Sequence, residues 1–341
     1  MIKKTNKIQI NKFRLLLTVL VAMFMLSACD FFDNDEESAP NLSIQSKFTG
    51  NVNKGLLAQA DVNFYHLTNP NELLFSTTTD DNGTYTAYTS AKQSGLYLVE
   101  VKSNENTSML CDANNCGTKD AAIAFNKVVP ANKLTDLTLK TIVFLKHDDL
   151  SLNNVNAQVN AITTFTTELL LLQLDKSTID IDSLTNTEFV MLQRSVSQTV
   201  AALLGFNTNE NFNIYNFYLV NLNNADEVLT AGPATIAFGL INAAFIQSAD
   251  NTIVGSINNI IGRAKNLLVN NSSSDVAQWL DVHGLILSEA IKLTRHPEII
   301  VSETGLPGFI AIQNIVNNGV NISKVDDSIN STLELLTQLE N

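Results

Sequence analysis

The sequence predicts an α+β multidomain chain, an antiparallel β-sandwich followed by an all-α helical bundle. Short runs of alternating apolar and polar residues, separated by turn residues, fill the first part. In the second part apolar residues recur at steps of three and four, as they do on one face of a helix. Apolar residues make up 45% of the 341 residues and charged residues only 16%, which permits a sizeable core and excludes a wholly disordered chain.

The amino terminus has the features of an export signal. Five basic residues precede a 12-residue apolar run, Leu15–Leu26, which is shorter than a membrane-spanning helix and typical of a secretory signal peptide. The next residues, Leu26-Ser27-Ala28-Cys29, resemble the lipobox of bacterial lipoproteins. An ordinary signal peptide, cut near Ala28 and leaving Cys29 as a spare thiol, is the alternative.

The lipobox resemblance implies that residues 1–28 are removed and that Cys29 is lipidated. A cysteine thiolate is the protein nucleophile best suited to accept a diacylglyceryl group. One acyl chain binds a membrane only marginally, so stable anchoring takes two or more. The implied partner is a lipid bilayer. The implied location is the bacterial cell envelope, at the inner or outer membrane, with the body in the periplasm or at the cell surface.

The net negative charge of the mature protein argues against nucleic acid as a partner. Residues 29–43 are acidic and lack periodicity, which predicts a solvated tether. The chain has 34 acidic and 21 basic residues, and five of the basic ones lie in the removable segment, so the mature protein carries a net charge of −18. Such a protein repels polyphosphate backbones, and we expect no nucleic acid partner.

Residues 44–147 show the pattern of an antiparallel sandwich. The turn dipeptide Asn82-Gly83 predicts a hairpin, because both residue types tolerate positive φ at little cost. Asp80, Asp81 and Asn82 offer oxygen ligands for calcium, but they lack the spacing of a calcium loop and fit the hairpin turn better. The predicted strands are 60–66, 73–77, 84–88 and 96–101, with 133–145 closing the sandwich.

Residues 47–102 resemble the carboxypeptidase regulatory-like (prealbumin-like) β-sandwich. The resemblance is carried by Gly50-Asn-Val52, Gly55–Phe64, Thr79–Tyr85 and Gly95–Val99. Gly55-Leu56 stands where that family often has proline. The family resemblance implies a small and usually noncatalytic module, found beside enzymes and in envelope lipoproteins.

Cys111 and Cys116 enclose four residues in a chain that we expect to be exported, where oxidation is favoured. We therefore predict a disulfide, which contributes about 2 kcal/mol through loop entropy. A zinc half-site is the alternative, although no second cysteine pair and no histidine cluster accompany it.

The helical spacing of apolar residues in 148–341 predicts six or seven helices. Gly232-Pro233 either kinks the third helix or marks its true start, and residues 206–224 form a loop or irregular insert on the bundle. The predicted helices cover 159–170, 183–204, 226–249, 252–269, 274–293, 308–320 and 324–339.

Motifs for catalysis or metal binding are scarce. His147, Asp148 and Asp149 form the densest cluster, at the domain junction, where a polar connector competes with an acid–base or metal role. Trp279 and His283 share a helix face, which usually means core packing. No nucleophile elbow, phosphate-binding loop or dinucleotide fingerprint occurs, and we expect no cofactor and no metal.

The sequence thus favours a noncatalytic binding or structural module that engages an envelope protein or a glycan. The alternative is an envelope hydrolase with its site in the helical domain or at the junction around His147–Asp149. Two distant carboxylates can meet in a folded chain without any sequence motif, so this alternative stays open.

Overall fold

The computed structural model describes residues 46–89, 94–118, 120–146, 153–246, 252–270, 272–297, 299 and 305–340. Over these residues the chain is an α+β fold with antiparallel sheets and eight α-helices. The predicted signal peptide, the acidic tether with Cys29, and the cluster of His147, Asp148 and Asp149 lie outside the described residues.

The strands occupy the amino-terminal half of the described chain, and most of them lie where the alternating pattern predicts them. The exceptions are β10 and β11, which fall within residues 148–341, where the sequence predicts a helical domain. They are β1 (Ser46–Asn53), β2 (Leu57–Ala58), β3 (Asp61–His66), β4 (Leu73–Thr78), β5 (Thr84–Thr89), β6 (Gly95–Lys102), β7 (Ser108–Leu110), β8 (Val128–Val129), β9 (Thr138–Leu145), β10 (Asn154–Asn156) and β11 (Val159–Asn160). One four-stranded antiparallel sheet has the order β4-β3-β6-β9, and β2, β7 and β8 form a small second sheet.

A third sheet is built around β1. Along one side, β1 pairs with β5 in the antiparallel direction. Along its other side, β1 pairs in the parallel direction, first with β10 and then with β11. Lys47 lies opposite Asn154, and Asn53 lies opposite Asn160. The first strand of the described chain is therefore hydrogen-bonded to the segment that leads into the first helix.

Aromatic side chains fill the space between β1 and the four-stranded sheet. The ring of Phe48 on β1 lies 5.0 Å from the ring of Phe64 on β3 and 5.9 Å from that of Tyr97 on β6. Phe64 also stacks on Phe75 of β4 at 4.3 Å. Aromatic pairs at these distances add about 0.5–1.5 kcal/mol each beyond the area they bury.

The helices follow the strands. They are α1 (Ala161–Lys176), α2 (Asn186–Leu203), α3 (Ala225–Thr230), α4 (Pro233–Ala244), α5 (Ile253–Asn270), α6 (Ser273–Leu293), α7 (Gly305–Asn318) and α8 (Ile322–Leu339). Asn160 and Thr185 close capping boxes at the starts of α1 and α2. Pro233 begins α4, so it marks a helix start and not a kink. No helix within the described ranges is both long and apolar enough to cross a bilayer.

Residues 206–224 contain no α-helix and lie on the bundle, which confirms the prediction of an irregular insert. The ring of Phe206 stacks on Phe238 of α4 at 3.8 Å. The rings of Phe212 and Phe217 lie 5.3 Å and 4.7 Å from the same side chain. This aromatic cluster holds the insert in place.

Helix α1 joins the strands to the bundle. Its Thr163 donates to the backbone carbonyl of Lys140 on β9. Its Glu168 accepts hydrogen bonds from Lys140 at 2.8 Å and from Lys265 of α5 at 2.5 Å. Burial acts to raise the pKa of Glu168, but the two lysines outweigh it and hold that pKa below its ordinary value. The buried core is continuous from the strands to the helices.

Candidate functional site

A cavity of about 500 Å³ lies where β1, β11 and the insert meet. Three segments that are distant in sequence form most of its wall: the end of β1 with the following turn, residues 158–160, and residues 218–227. Its lining residues are Asn51, Val52, Asn53, Leu56, Asn82, Thr84, Gln158, Asn160, Tyr218, Leu219, Asn221, Asn223, Asn224, Ala225, Asp226 and Glu227. Half of them carry side-chain amides.

Hydrogen bonds to the backbone fix part of this amide wall. The Asn53 amide donates to the carbonyl of Leu219 at 3.1 Å, which ties β1 to the insert. The Asn53 carbonyl accepts from Asn242 of α4 at 2.8 Å, and the Asn242 oxygen accepts from the backbone of Ala161 at 3.0 Å. The wall is thus held from the strand, the insert and two helices.

Tyr218 and Glu227 form the rim of the cavity. The Tyr218 hydroxyl donates to the Glu227 carboxylate at 2.7 Å, and the tyrosine remains 51% exposed. The other donors to this carboxylate are the Asn221 backbone at 3.1 Å and the Asn224 amide at 2.9 Å. Partial burial and the hydrogen bond to Glu227 raise the pKa of Tyr218 to about 12, so its hydroxyl stays protonated at neutral pH.

The electrostatic character of the cavity is neutral to acidic. Asp226 and Glu227 are its only acidic lining residues among those described, and none of the described lining residues is basic. Amides can donate and accept hydrogen bonds at the same time, whereas an anionic ligand would need cationic partners. The cavity therefore suits a neutral polar ligand with many hydroxyl or amide groups.

The predicted disulfide pair lies close to this cavity. The Sγ atoms of Cys111 and Cys116 are 2.13 Å apart, which is disulfide distance. The backbone carbonyl of Cys111 accepts a hydrogen bond of 2.9 Å from the Asn223 amide. The cysteine loop thus holds the side chain of the lining residue Asn223 through a hydrogen bond.

Buried charges lie on the other side of the same loop. Asp112 is 3% exposed and accepts a 2.8 Å hydrogen bond from Lys54, which is fully buried. Burial lowers the pKa of the Lys54 ammonium, outweighing the opposite influence of the Asp112 carboxylate. Glu289 of α6, 1% exposed, accepts from the backbone and side chain of Asn114 at 3.2 Å and 3.0 Å.

The Asp80 side chain caps the turn that connects β4 to β5. The Asp80 carboxylate accepts from the backbones of Asn82 at 2.9 Å and Thr84 at 2.8 Å. Hydrogen bonds from Thr84 hold the pKa of Asp80 below its ordinary value. Gly83 has a φ of +69°, as the turn requires. The predicted turn at Asn82-Gly83 is confirmed, but the predicted hairpin is wrong, because β4 pairs with β3 and β5 pairs with β1 in a different sheet.

Other residues singled out by sequence serve in packing. Trp279 is fully buried, donates to the carbonyl of Leu203 at 3.2 Å and stacks on His283, whose pKa is lowered by burial. A further histidine, His296, is also in ring contact, with its centroid 4.7 Å from that of Phe125. No cluster of three metal-ligating side chains occurs within the described ranges.

Apart from Asn82 in the predicted turn, the sequence patterns do not single out the cavity residues. Asparagine is abundant along the whole chain, so single asparagines carry little information. The nearest thing to a signal is the run Asn221-Leu-Asn-Asn224 inside the irregular insert. Ordered loops on a rigid scaffold commonly carry binding residues, and a dense amide run in such a loop indicates a polar site.

Comparison with known proteins assigns no family to this chain. No protein-family model matches it, and no curated protein is significantly similar to it in sequence.

Proposed function

We propose that this chain is a lipid-anchored bacterial envelope protein that binds a neutral glycan, without catalysis, in the amide-lined cavity. The observation that carries the proposal is the chemistry of the cavity wall. Eight side-chain amides and the exposed ring of Tyr218 surround a space of about 500 Å³. This volume lies within the range of about 300–1,000 Å³ that is usual for small-ligand sites.

Amides and aromatic rings match the two surfaces of a sugar. Hydroxyl groups both donate and accept hydrogen bonds, as do the carboxamides of asparagine and glutamine. The apolar face of a sugar ring can lie on an exposed aromatic ring such as Tyr218. The absence of basic residues from the described lining favours a neutral glycan over a phosphorylated or otherwise anionic one.

The state of Glu227 favours binding over hydrolysis. Glycoside hydrolysis uses two carboxyl groups on opposite sides of the scissile bond. Asp226 and Glu227 are adjacent in sequence, and Glu227 already accepts hydrogen bonds from Tyr218, Asn221 and Asn224. The Glu227 carboxylate therefore holds Tyr218, Asn221 and Asn224 in place at the rim, which is a structural role and not a catalytic one.

The lipobox at Leu26–Cys29 supports the anchoring part of the proposal. The glycine and turn motifs of residues 47–102, together with antiparallel sheets that pack through aromatic side chains, support a prealbumin-like module. In that arrangement the acidic stretch 29–43 spaces a binding body from the bilayer, where envelope glycans are within reach.

Binding to immobilised neutral oligosaccharides tests the cavity. We expect the wild-type protein to bind a subset of them, and Tyr218→Ala to weaken that binding about fivefold or more, since an aromatic contact contributes about 1 kcal/mol. Calorimetric titration with the best oligosaccharide gives the affinities. Tyr88→Ala is the matched control, because Tyr88 is 56% exposed and lies outside the cavity. Equal losses in the two variants, or no binding by the wild type, would count against the proposal.

Substituting Cys29 tests the anchor. Cys29→Ser removes the nucleophile that takes the acyl chains, so we expect the protein to move from the membrane fraction to the soluble fraction. Asp30→Asn is the control, since it keeps the cysteine and should remain membrane-bound. Fractionation with mass spectrometry of the amino-terminal peptide provides the measurement, and a Cys29→Ser protein that stays in the membrane would contradict lipidation.

A further inference from the structure

Lys54 and Asp112 form a buried pair that the glycan site does not use. The Lys54 side chain is fully buried, and its Nζ lies 2.8 Å from one carboxylate oxygen of Asp112 and 3.0 Å from the other. A third contact runs from Nζ to the carbonyl of Ala243 on α4 at 3.2 Å. The amine is therefore held against a single carboxyl group, out of contact with solvent.

Neighbouring groups fix the carboxyl group as firmly as the amine. The Gly55 backbone donates to the second Asp112 oxygen at 2.9 Å. The disulfide pair Cys111 and Cys116 brackets Asp112, and the Glu289 carboxylate holds Asn114, two residues further on. Asp112 is thus restrained from three sides.

We propose that Lys54 and Asp112 become joined by an amide bond between Nζ and the side-chain Cγ, an intramolecular isopeptide crosslink. Two reacting groups fixed in contact react as one molecule, with effective concentrations of about 10⁵–10⁸ M in well-oriented cases. Exclusion of water removes the competing solvent and disfavours hydrolysis of the product. The crosslink closes a loop between positions 58 residues apart.

The condensation balances without any co-reactant. One proton passes from the Lys54 ammonium to an Asp112 oxygen, leaving a neutral amine and a carboxylic acid. The amine nitrogen attacks Cγ, and the N–H of Gly55 stabilises negative charge on the oxygen that it contacts. The nitrogen then passes a second proton to the other oxygen, which carries the first, the C–O bond to that oxygen breaks, and it leaves as one water molecule.

The burial of the pair favours the first of these steps. Desolvation lowers the pKa of Lys54, and lysines become nucleophiles when burial makes the neutral amine accessible. The opposing effects of Asp112 and Glu289 on Lys54 come from their negative charges, and the charge on Asp112 disappears once its carboxyl group takes the proton.

Peptide mapping of the full chain decides the question. The purified protein is reduced, alkylated and digested with trypsin, which cannot cleave after a lysine whose side chain is acylated. We expect a branched peptide that joins the residue 54 segment to the residue 112 segment, lighter than the sum of the two by one water molecule. If the linear peptide 48–54, ending at Lys54, carries most of the signal from this segment, the proposal is wrong.

Asp112→Ala provides the specificity control. This variant lacks the acceptor carboxyl group, so its digest should contain only the linear peptide ending at Lys54. A branched peptide at Lys54 in this variant would overturn the assignment of Asp112 as the partner. If the variant does not accumulate, Lys54→Arg tests the same bond from the other side, because trypsin cleaves after a free arginine and the branched peptide should vanish.

Discussion

Replacing Asp112 with alanine is expected to lower the free energy of unfolding by about 3–5 kcal/mol, because it leaves Lys54 fully buried without its partner. Removing one member of a buried pair costs far more than removing a surface charge, which has water as an alternative partner. In this variant only the Ala243 carbonyl, 3.2 Å from Nζ, remains of the three Lys54 acceptors. If the native pair is joined as an amide, the expected loss is larger, because the crosslink also restrains the unfolded chain between positions 58 residues apart.

The double variant Lys54→Met/Asp112→Ala isolates the cost of the stranded amine. Neither this variant nor Asp112→Ala can form a crosslink, so the two differ only in the buried amine. We expect the double variant to be more stable than the single one, since an apolar side chain of similar length does not need hydrogen-bond partners. Urea unfolding of both proteins measures the difference, and equal stabilities would show that the buried amine costs little.

The pH dependence of Asp112→Ala has a definite sign. Without the carboxylate, desolvation acts on Lys54 with less opposition, and its pKa in the folded state falls further below the ordinary value of 10.5. Between these two pKa values the unfolded chain binds more protons than the folded chain, so the stability of this variant rises with pH. Measuring the free energy of unfolding of this variant at pH 7 and at about pH 9 tests the predicted rise. A stability that falls over this interval would contradict this account of Lys54.

Local signals in the sequence predicted much of the secondary structure. Residues 183–188 offer several possible cap residues at the start of the predicted helix, and in the structure Thr185 and Glu188 make the capping hydrogen bonds of α2. Gly83 adopts the positive φ expected of a turn residue, and β5 begins at the next residue, although β5 pairs with β1 and not with β4 as a hairpin would require. These features depend on neighbours within a few residues, which is the information that a single sequence carries best.

The pairing of β1 with β10 and β11 could not be predicted in the same way. Val159 and the residues after it fit a helical pattern, and only the tertiary partner places Val159 in a strand opposite Val52. The Lys54–Asp112 contact could not be predicted from the sequence either, because lysine and aspartate side chains are usually exposed at the surface. The cavity depends on the strand pairing, since the end of β1 and residues 158–160 form parts of one wall only after β1 and β11 pair.

Gly50 lies in one of these long-range contacts, and Gly50→Ala is expected to destabilise the protein by about 1–3 kcal/mol or more. A Cβ atom at this position would lie 2.0 Å from the carbonyl oxygen of Ala157 and 2.7 Å from the Tyr85 hydroxyl. That carbonyl accepts the Tyr85 hydrogen bond at 2.6 Å, and the Ala157 backbone donates to Thr49 at 2.8 Å. The added methyl group must therefore push the 153–160 segment away from β1.

Gly284→Ala is the matched control and has the opposite expected sign. Gly284 is exposed in the middle of α6, with no atom within 4 Å of an added Cβ, so alanine there should stabilise the helix by up to about 1 kcal/mol. Thermal unfolding of both variants measures the contrast. Because Asn51 and Gln158 flank the Gly50 contact and line the cavity, Gly50→Ala should also weaken glycan binding, whereas Gly284→Ala should leave it unchanged. A Gly50→Ala protein as stable as the wild type would show that β1 and the 153–160 segment are not in backbone contact, and the wall of the cavity would then lose its support.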